Sequence, residues 1–368
     1  MVFYQVTPGR FNPRAERSSR LKDELRLPTE KVDLTGLNET DYRNAINRGG
    51  VIIKDGGIVA FPTETVYGLG ADAFNSEAVR LIFTAKGRPA DNPLIIHVAD
   101  KQIQRVVEKI PEKGRILMDK FWPGPLTIIF QKAAGVPDIT TAGLATVGVR
   151  MPDNQCALDL IKAGGGFIAA PSANISGRPS PTNFERSVHD LDGRCHLILG
   201  LDQAKFGLES TIIDVTTEPP ELLRPGAVTL EMLREAIGEV KYLKPKQLEA
   251  GEKPRAPGMK YRHYAPRAEV TIVNGPNEKT LEFLLGFAQA NGDAMVILIS
   301  DSLEVELANL VRFVGVEEAS CKIFETLRRA DDLGFRRVYI QGIKESGLGM
   351  AYMNRIKKAA GYRFLEVE

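Results

Sequence analysis

Residues 61–94 read FPTETVYGLGADAFNSEAVRLIFTAKGRPADNPL, and the polar residue types in that stretch suit the handling of an anion. Two threonine hydroxyls, Thr63 and Thr65, precede a glycine turn at Gly68 and Gly70; Lys86 and Arg88 follow, hemmed in by Gly87, Pro89 and Pro93. The two cations sit on a stiffened loop with no acid beside them before Asp91. Arginine grips phosphate or carboxylate oxygens at two points through a planar fork, while lysine serves as a mobile point charge. A Lys-Gly-Arg standing alone is usually a solvated turn. Here the same chemistry returns in TVGVRMPD at 146–153, AAPSAN at 169–174, GRPSPT at 177–182, GLESTIID at 207–214 and LRPG at 223–226. Each places a hydroxyl, an amide or an arginine beside Gly or Pro at the edge of a short apolar run, where a strand passes into a loop. Loops at strand ends are where α/β proteins gather their ligands.

The elements that must position these residues are legible as periodicity. Residues 39–55 suit a helix, GIVAFPT a strand, SEAVRLIFTAKG a helix ending at Gly87, and PLIIHVAD a strand. PEKGRILMDKFWPG reads as helix to Trp122, LTIIFQK and ATVGVRMP as strands, and NQCALDLIKAGG as helix; FIAAPS, HLILG, STIIDV and ELLRPG then follow as closely spaced strands. Strand and helix alternate first and strands crowd later, so the fold class is α/β: a twisted, mixed open sheet with helices packed against it, over about residues 36–243. Residues 1–35 read as a partly ordered extension: the first 30 lack the apolar stretch of a secretory signal, and although rich in arginine they carry Glu16, Asp23, Glu24 and Glu30, which transit peptides avoid.

From 244 to 267 the composition is that of a linker, polar and rich in Pro and Gly. Residues 268–368 resume a clean alternation, with EVTIVNG, AMVILIS, VRFVGV and RRVYIQGI as strands. KTLEFLLGFAQANG, SLEVELANL, CKIFETLRRADDLG and MAYMNRIKKAAG read as the intervening helices, which predicts a smaller, mainly parallel, Rossmann-like domain. Gly347-Leu348-Gly349 opens the last helix, but Tyr352 stands where a dinucleotide fingerprint needs its third glycine, which favours a tight turn.

Composition bounds the function. The chain has 368 residues, 43% hydrophobic and 26% charged, enough for two cores, and a net charge of +1 supplies no general basic field for nucleic acid. Any RNA contact must be weak and local. Cys156, Cys195 and Cys321 are far apart and lack metal-site or disulfide spacing. No run approaches the ~18 apolar residues needed to cross a bilayer, and a cytoplasmic location is expected.

Taken together, these motifs resemble the threonylcarbamoyl-AMP synthases, the YrdC-like family, in its two-domain form. The resemblance covers about residues 38–368, including the linker APGMKYRHYAP at 256–266. It implies an open YrdC-like sheet around a deep cleft, and an enzyme that joins L-threonine, bicarbonate and ATP into L-threonylcarbamoyladenylate with release of pyrophosphate. The product would pass to the tRNA threonylcarbamoyl-transfer machinery that modifies adenosine 37. By resemblance, Thr65, His97, Arg150, Ala170 and Ser210 surround threonine, with Arg150 as partner of its carboxylate and Thr65 or Ser210 reading its hydroxyl. A site that hydrogen-bonds that hydroxyl rejects an analogue lacking it by ~10⁴ or more. The ATP side falls to Arg88, Asn92, Thr146, Ser172, Ser180, Arg224 and Tyr261, with Lys86 and Arg88 as the catalytic cations and Asn174 completing a phosphate cradle.

Such an anhydride requires positioning and charge neutralisation rather than a protein nucleophile. Mg²⁺ is expected to arrive with ATP, since no carboxylate cluster suggests a dedicated cage and no metal-ligating residue is assigned. The linker aromatics Tyr261, His263 and Tyr264 are placed to fold over the cleft as a water-excluding lid. Two rival readings are a salt-sensitive RNA-binding module and a carbamoyl transferase of hydrogenase maturation; the latter would bring zinc-finger cysteines that this chain lacks.

Overall fold

The computed structural model describes residues 27–201, 203–242, 254–259, 263–303 and 305–368. In chain order the first part contains β1 (Glu30–Asp33), α1 (Glu39–Lys54), β2 (Val59–Phe61), β3 (Gly68–Asp72), α2 (Ser76–Lys86), β4 (Ile95–Val98), α3 (Glu112–Phe121), β5 (Leu126–Gln131) and α4 (Asp138–Thr141). It continues through β6 (Thr146–Arg150), α5 (Gln155–Ala163), β7 (Phe167–Ala170), α6 (Phe184–Leu191), β8 (Leu197–Gly200), β9 (Thr211–Asp214), β10 (Glu221–Arg224), α7 (Leu230–Ile237) and β11 (Lys241–Tyr242). Its strands form one mixed sheet in the order β1-β8-β2-β3-β7-β4-β6-β5-β9-β10-β11.

The two faces of that sheet differ, and the difference makes the cleft. Side chains alternate along a strand, so Ala60, Leu69, Ile96, Val149, Ala169 and Ile213 point to one face, where α2, α3 and α7 cover them. Val59, Phe61, Ile168 and Ala170 point to the other, under α1 and α5. Farther along that second face, Ile95, Ile129, Ile212 and Leu223 pack against Ala256 and Met259 of the linker. His97 shares the orientation of Ile95, and Thr146 and Arg150 that of Gly148, so these polar residues fall on the face that the linker covers.

The second part runs β12 (Glu269–Asn274), α8 (Asn277–Ala290), β13 (Ala294–Ile299), β14 (Leu310–Phe313), α9 (Val316–Asp332), β15 (Arg337–Gln341), α10 (Leu348–Ala360) and β16 (Phe364–Glu366). Its five strands are all parallel, in the order β14-β13-β15-β12-β16. Its core does not stop at its own elements: Val66 and Leu208, from loops of the first part, and Tyr264 of the linker pack into the same cluster as Phe324 and Ile356.

Three local expectations change. Gly68 and Gly70 do not make a turn; they lie in the buried strand β3. A Cβ on Gly70 would stand 2.5 Å from Ile168 and 2.8 Å from the Phe61 ring, so glycine is required there by close packing. SLEVELANL is not a helix: Leu310 opens β14, and the described residues among 302–309 are non-helical. The amide of Asn309 instead reaches the carbonyls of Ala288, Asn291 and Ala294, each at 3.0 Å, and ties the segment down as a loop. Third, Glu30–Asp33, within the N-terminal extension, is a strand that pairs in parallel with β8.

Candidate active site

The end of α2 sets the first cations. Asn75 caps the helix by accepting from the amides of Glu77 and Ala78, and Gly87 ends it in the left-handed conformation at φ +60°. That reversal turns Lys86 and Arg88 inward, and both are buried. Lys86 Nζ donates to the carbonyl of Ser172 at 2.5 Å and to that of Asn174. Arg88 donates through Nε to the Asn92 carbonyl at 3.3 Å and through Nη2 to the Pro93 carbonyl at 3.1 Å. Burial, then the charge of Arg88, pushes the Lys86 amine well below its ordinary value. Burial, opposed by Tyr264 and assisted by Arg224, brings Arg88 down to about 10. An arriving anion would relieve both, which makes this an electrostatically unsatisfied pocket.

Strand register supplies the next pair. β4 and β6 run parallel with His97 opposite Arg150. The His97 ring stands edge-on to Phe61, its centroid 6.1 Å away, and its Nδ1 donates to the Ile95 carbonyl at 3.2 Å. Burial, then Arg150, lowers His97 to about 3, so the ring is neutral. Arg150 Nη2 lies 2.7 Å from Glu64, and both side chains are buried. The contact is off the hydrogen-bond axis, which leaves Nη2 and both Glu64 oxygens with unused bonding capacity.

Around these groups stand Thr63 and Thr65, their hydroxyls 2.9 Å apart, and Ser210, whose hydroxyl lies 2.8 Å from that of Thr127. Arg224, at the end of β10, donates to the Ser210 carbonyl at 2.9 Å and to its hydroxyl at 3.1 Å. Burial is the main cause that lowers Arg224 to about 10. Ser172 Oγ donates to Asn174 Oδ1 at 2.5 Å; no helix starts there, the following one being capped by Asn183.

Thr65, Lys86, Arg88, His97, Arg150, Ala170, Ser172, Ser180, Ser210 and Arg224 all line one cavity, with about 700 Å³ of empty space that is partly open to solvent. Two expected residues stand elsewhere. Asn92 is buried behind the wall and contributes its carbonyl to Arg88; Thr146 lines a small adjoining cavity that shares Ile95 and Pro257 with the first. Tyr261 lies outside the described residues. Its neighbours Pro257, Gly258, His263 and Tyr264 do line the main cavity, so the described linker residues form part of its wall. Burial, then Arg88, lowers His263 to about 3.

The comparisons with known proteins give the family and the fold. Residues 51–226 match the Sua5/YciO/YrdC family model, described as telomere recombination, and residues 228–361 match the C-terminal domain model of threonylcarbamoyl-AMP synthase. A threonylcarbamoyl-AMP synthase of Pyrococcus abyssi is 46% identical over 321 residues, 86% of this chain and 94% of the relative. This chain belongs to the threonylcarbamoyl-AMP synthase family. A synthase of Bacillus subtilis is 41% identical over 87% of this chain and 94% of its own. The crystal structure of P. abyssi Sua5 complexed with L-threonine has a TM-score of 0.83 and 42% identity, covering 92% of this chain and 99% of that one. The chain is thus an enzyme of the synthase type, with the mixed sheet and second parallel sheet of its family. Among the described residues no helix is long and apolar enough to cross a membrane.

Sequence reading of the synthase site misses three charged residues: Glu64 behind Arg150, Glu209 in the cavity wall, and Arg355 of α10, whose Nε donates to Glu209 at 2.7 Å. Glu64 was flanked by the threonines already singled out. Arg355 and Glu209 are 146 positions apart and carry no local signal.

Proposed function

We propose that this chain joins L-threonine, bicarbonate and ATP into L-threonylcarbamoyladenylate, releasing pyrophosphate, and that the product serves threonylcarbamoylation of tRNA position 37. The observation that carries this reading is that four buried cations, Lys86, Arg88, Arg150 and Arg224, line one cavity. The relative solved with L-threonine supports the choice of amino acid. Arg150, with unused capacity at Nη2, takes the threonine carboxylate, while Thr65 and Ser210 offer hydroxyls to its side chain. The neutral His97 can bond the substrate without adding a fifth charge.

The amine of threonine adds to bicarbonate to give a carbamate with loss of water. A carbamate oxygen then attacks the α-phosphorus and pyrophosphate departs. Lys86 and Arg88 neutralise the charge that gathers as the anions meet, and Ser172, Asn174, Ser180 and Arg224 hold the adenylate half. Asn92 acts by shaping Arg88, Thr146 from the adjoining cavity, and Tyr261 from the linker, which shields the hydrolysable product. Mg²⁺ would enter on the triphosphate and neutralise its charge; Glu209, the one acid among the described lining residues, is already committed to Ser180 and Arg355. The adenylate would then go to the tRNA threonylcarbamoyl-transfer machinery in the cytoplasm.

The test is pyrophosphate release from ATP and bicarbonate across a panel of amino acids. Threonine should exceed serine and valine by at least about a hundredfold in kcat/KM. Equal rates would remove Thr65, His97 and Ser210 from their roles.

A further inference from the structure

Arg355 is the largest fully buried side chain among the described residues and belongs to the second domain, yet its guanidinium is bound to the wall of the cavity in the first. Nε donates to Glu209 Oε2 at 2.7 Å and Nη2 to the Glu209 carbonyl at 3.0 Å. Nη1 donates to the carbonyl of Pro225 and to Asn354 Oδ1, both at 2.9 Å. Glu209 and Pro225 are the chain neighbours of Ser210 and Arg224, which bond to each other across the cavity wall. The second oxygen of Glu209 accepts from Ser180 Oγ at 2.6 Å. One guanidinium therefore clasps both segments that carry the Ser210–Arg224 contact and orients the acid that orients Ser180.

Charge gives the arrangement a purpose that packing alone would not. Glu209 is the only acid among the described residues lining a cavity built for anions. Burial works to raise its carboxyl, yet Arg355, Arg224 and the Ser180 hydroxyl hold it below its ordinary value, so it is ionised. Uncompensated, that charge would repel a triphosphate and draw Arg224 away from Ser210. A buried carboxylate stripped of its partner is costly, whereas neutralising both members of such a pair leaves little net charge to repel.

We infer that Arg355 is a positioning residue for the adenylate half of the site, acting through Glu209 on Ser180 and Arg224, so that the second domain completes the ATP-binding wall. This rests on the reading of the cavity as an ATP and threonine site. The test compares wild type with Arg355→Met, Arg355→Lys, the pair Arg355→Met/Glu209→Gln, and Arg186→Met. Arg186 also ties the domains together, pairing with Glu325 and Asp332, but lines no part of the cavity. ATP binding is read by calorimetry without turnover, and the KM values for ATP and threonine by pyrophosphate release.

Arg355→Met should weaken ATP by at least about tenfold while threonine shifts by less than about threefold. The added Glu209→Gln should recover most of that loss, and Arg355→Lys should fall between wild type and Arg355→Met. An unchanged ATP affinity in Arg355→Met, an equal loss in Arg186→Met, or no recovery in the pair would overturn the inference. Wild type that binds ATP but releases no pyrophosphate with threonine would instead defeat the proposed reaction and leave the ATP comparison to judge Arg355. Should Arg355→Met not fold, the charge-neutral pair and Arg355→Lys decide by the same ATP measurement.

Discussion

Arg150 carries two tasks that mutation can separate. Its guanidinium compensates buried Glu64 and, in the proposed reaction, receives the threonine carboxylate. Arg150→Met should destabilise the fold by ~3–5 kcal/mol, because it leaves an uncompensated buried carboxylate. Combined with Glu64→Gln, most of that stability should return while the KM for threonine stays raised by about a hundredfold or more. Chemical denaturation and steady-state kinetics on the two variants check both halves. His97 and His263 make a pH prediction of definite sign. Both are held near 3 in the folded chain by burial first, against about 6.5 when unfolded. The unfolded chain therefore binds two protons that the folded one refuses. Their contribution to stability is full above about pH 6.5 and is lost as pH falls toward 3, at a limiting slope of about 2.7 kcal/mol per pH unit. His97→Gln should halve that slope in urea melts taken across the window. A slope unchanged by the substitution would mean that the ring titrates normally.

At the level of elements, the cleft depends on how closely β3 approaches its neighbours. Gly70→Ala would press a methyl group against Phe61 and Ile168, at a cost of ~1–3 kcal/mol. Because His97 stands against the same Phe61 ring, the KM for threonine should rise as well. A thermal melt and a threonine titration test this together. The same strand shows why parts of the fold were hard to read. Gly-Leu-Gly looks like a turn in isolation, since glycine there reports neighbours distant in sequence rather than a local φ preference. SLEVELANL carries helical periodicity, but the Asn309 amide bonds to the end of α8 and outweighs a weak local preference. Conversely, α2 was legible to its last residue because Asn75, the apolar stripe and Gly87 all agree. The cationic half of the site was legible for a related reason, lying at strand ends marked by Gly and Pro. Its compensating acids were not, because their partners are assigned only by tertiary structure.

Across the whole molecule, the two sheets are joined by buried charge and by direct backbone contact. Arg328 of α9 donates to both oxygens of Asp190, at 3.1 and 2.7 Å, and to the Pro179 carbonyl at 2.6 Å beside Ser180. Lys358 reaches the Gly258 carbonyl of the linker at 2.5 Å. Gly207, at φ +66°, lies so close to Cys321 that a Cβ would come within 1.9 Å of its carbonyl oxygen. Gly207→Ala should therefore pry the domains apart, seen as faster amide exchange in α9 and α10 and a lower melting temperature, with the core of the first sheet protected as before. The Arg328–Asp190 contact also bears on dissection of the chain. Trimming the protein back to its first sheet would strip Asp190 of Arg328 and Glu209 of Arg355, leaving Arg178, at 3.4 Å from Asp190, and Arg224 near Glu209 to offset two carboxylates on a newly bared surface. A chimera carrying a foreign C-terminal half would have to bring guanidinium groups to the places of Arg328 and Arg355, and neutralising Asp190 and Glu209 by amide substitution is the repair that a minimal version would need.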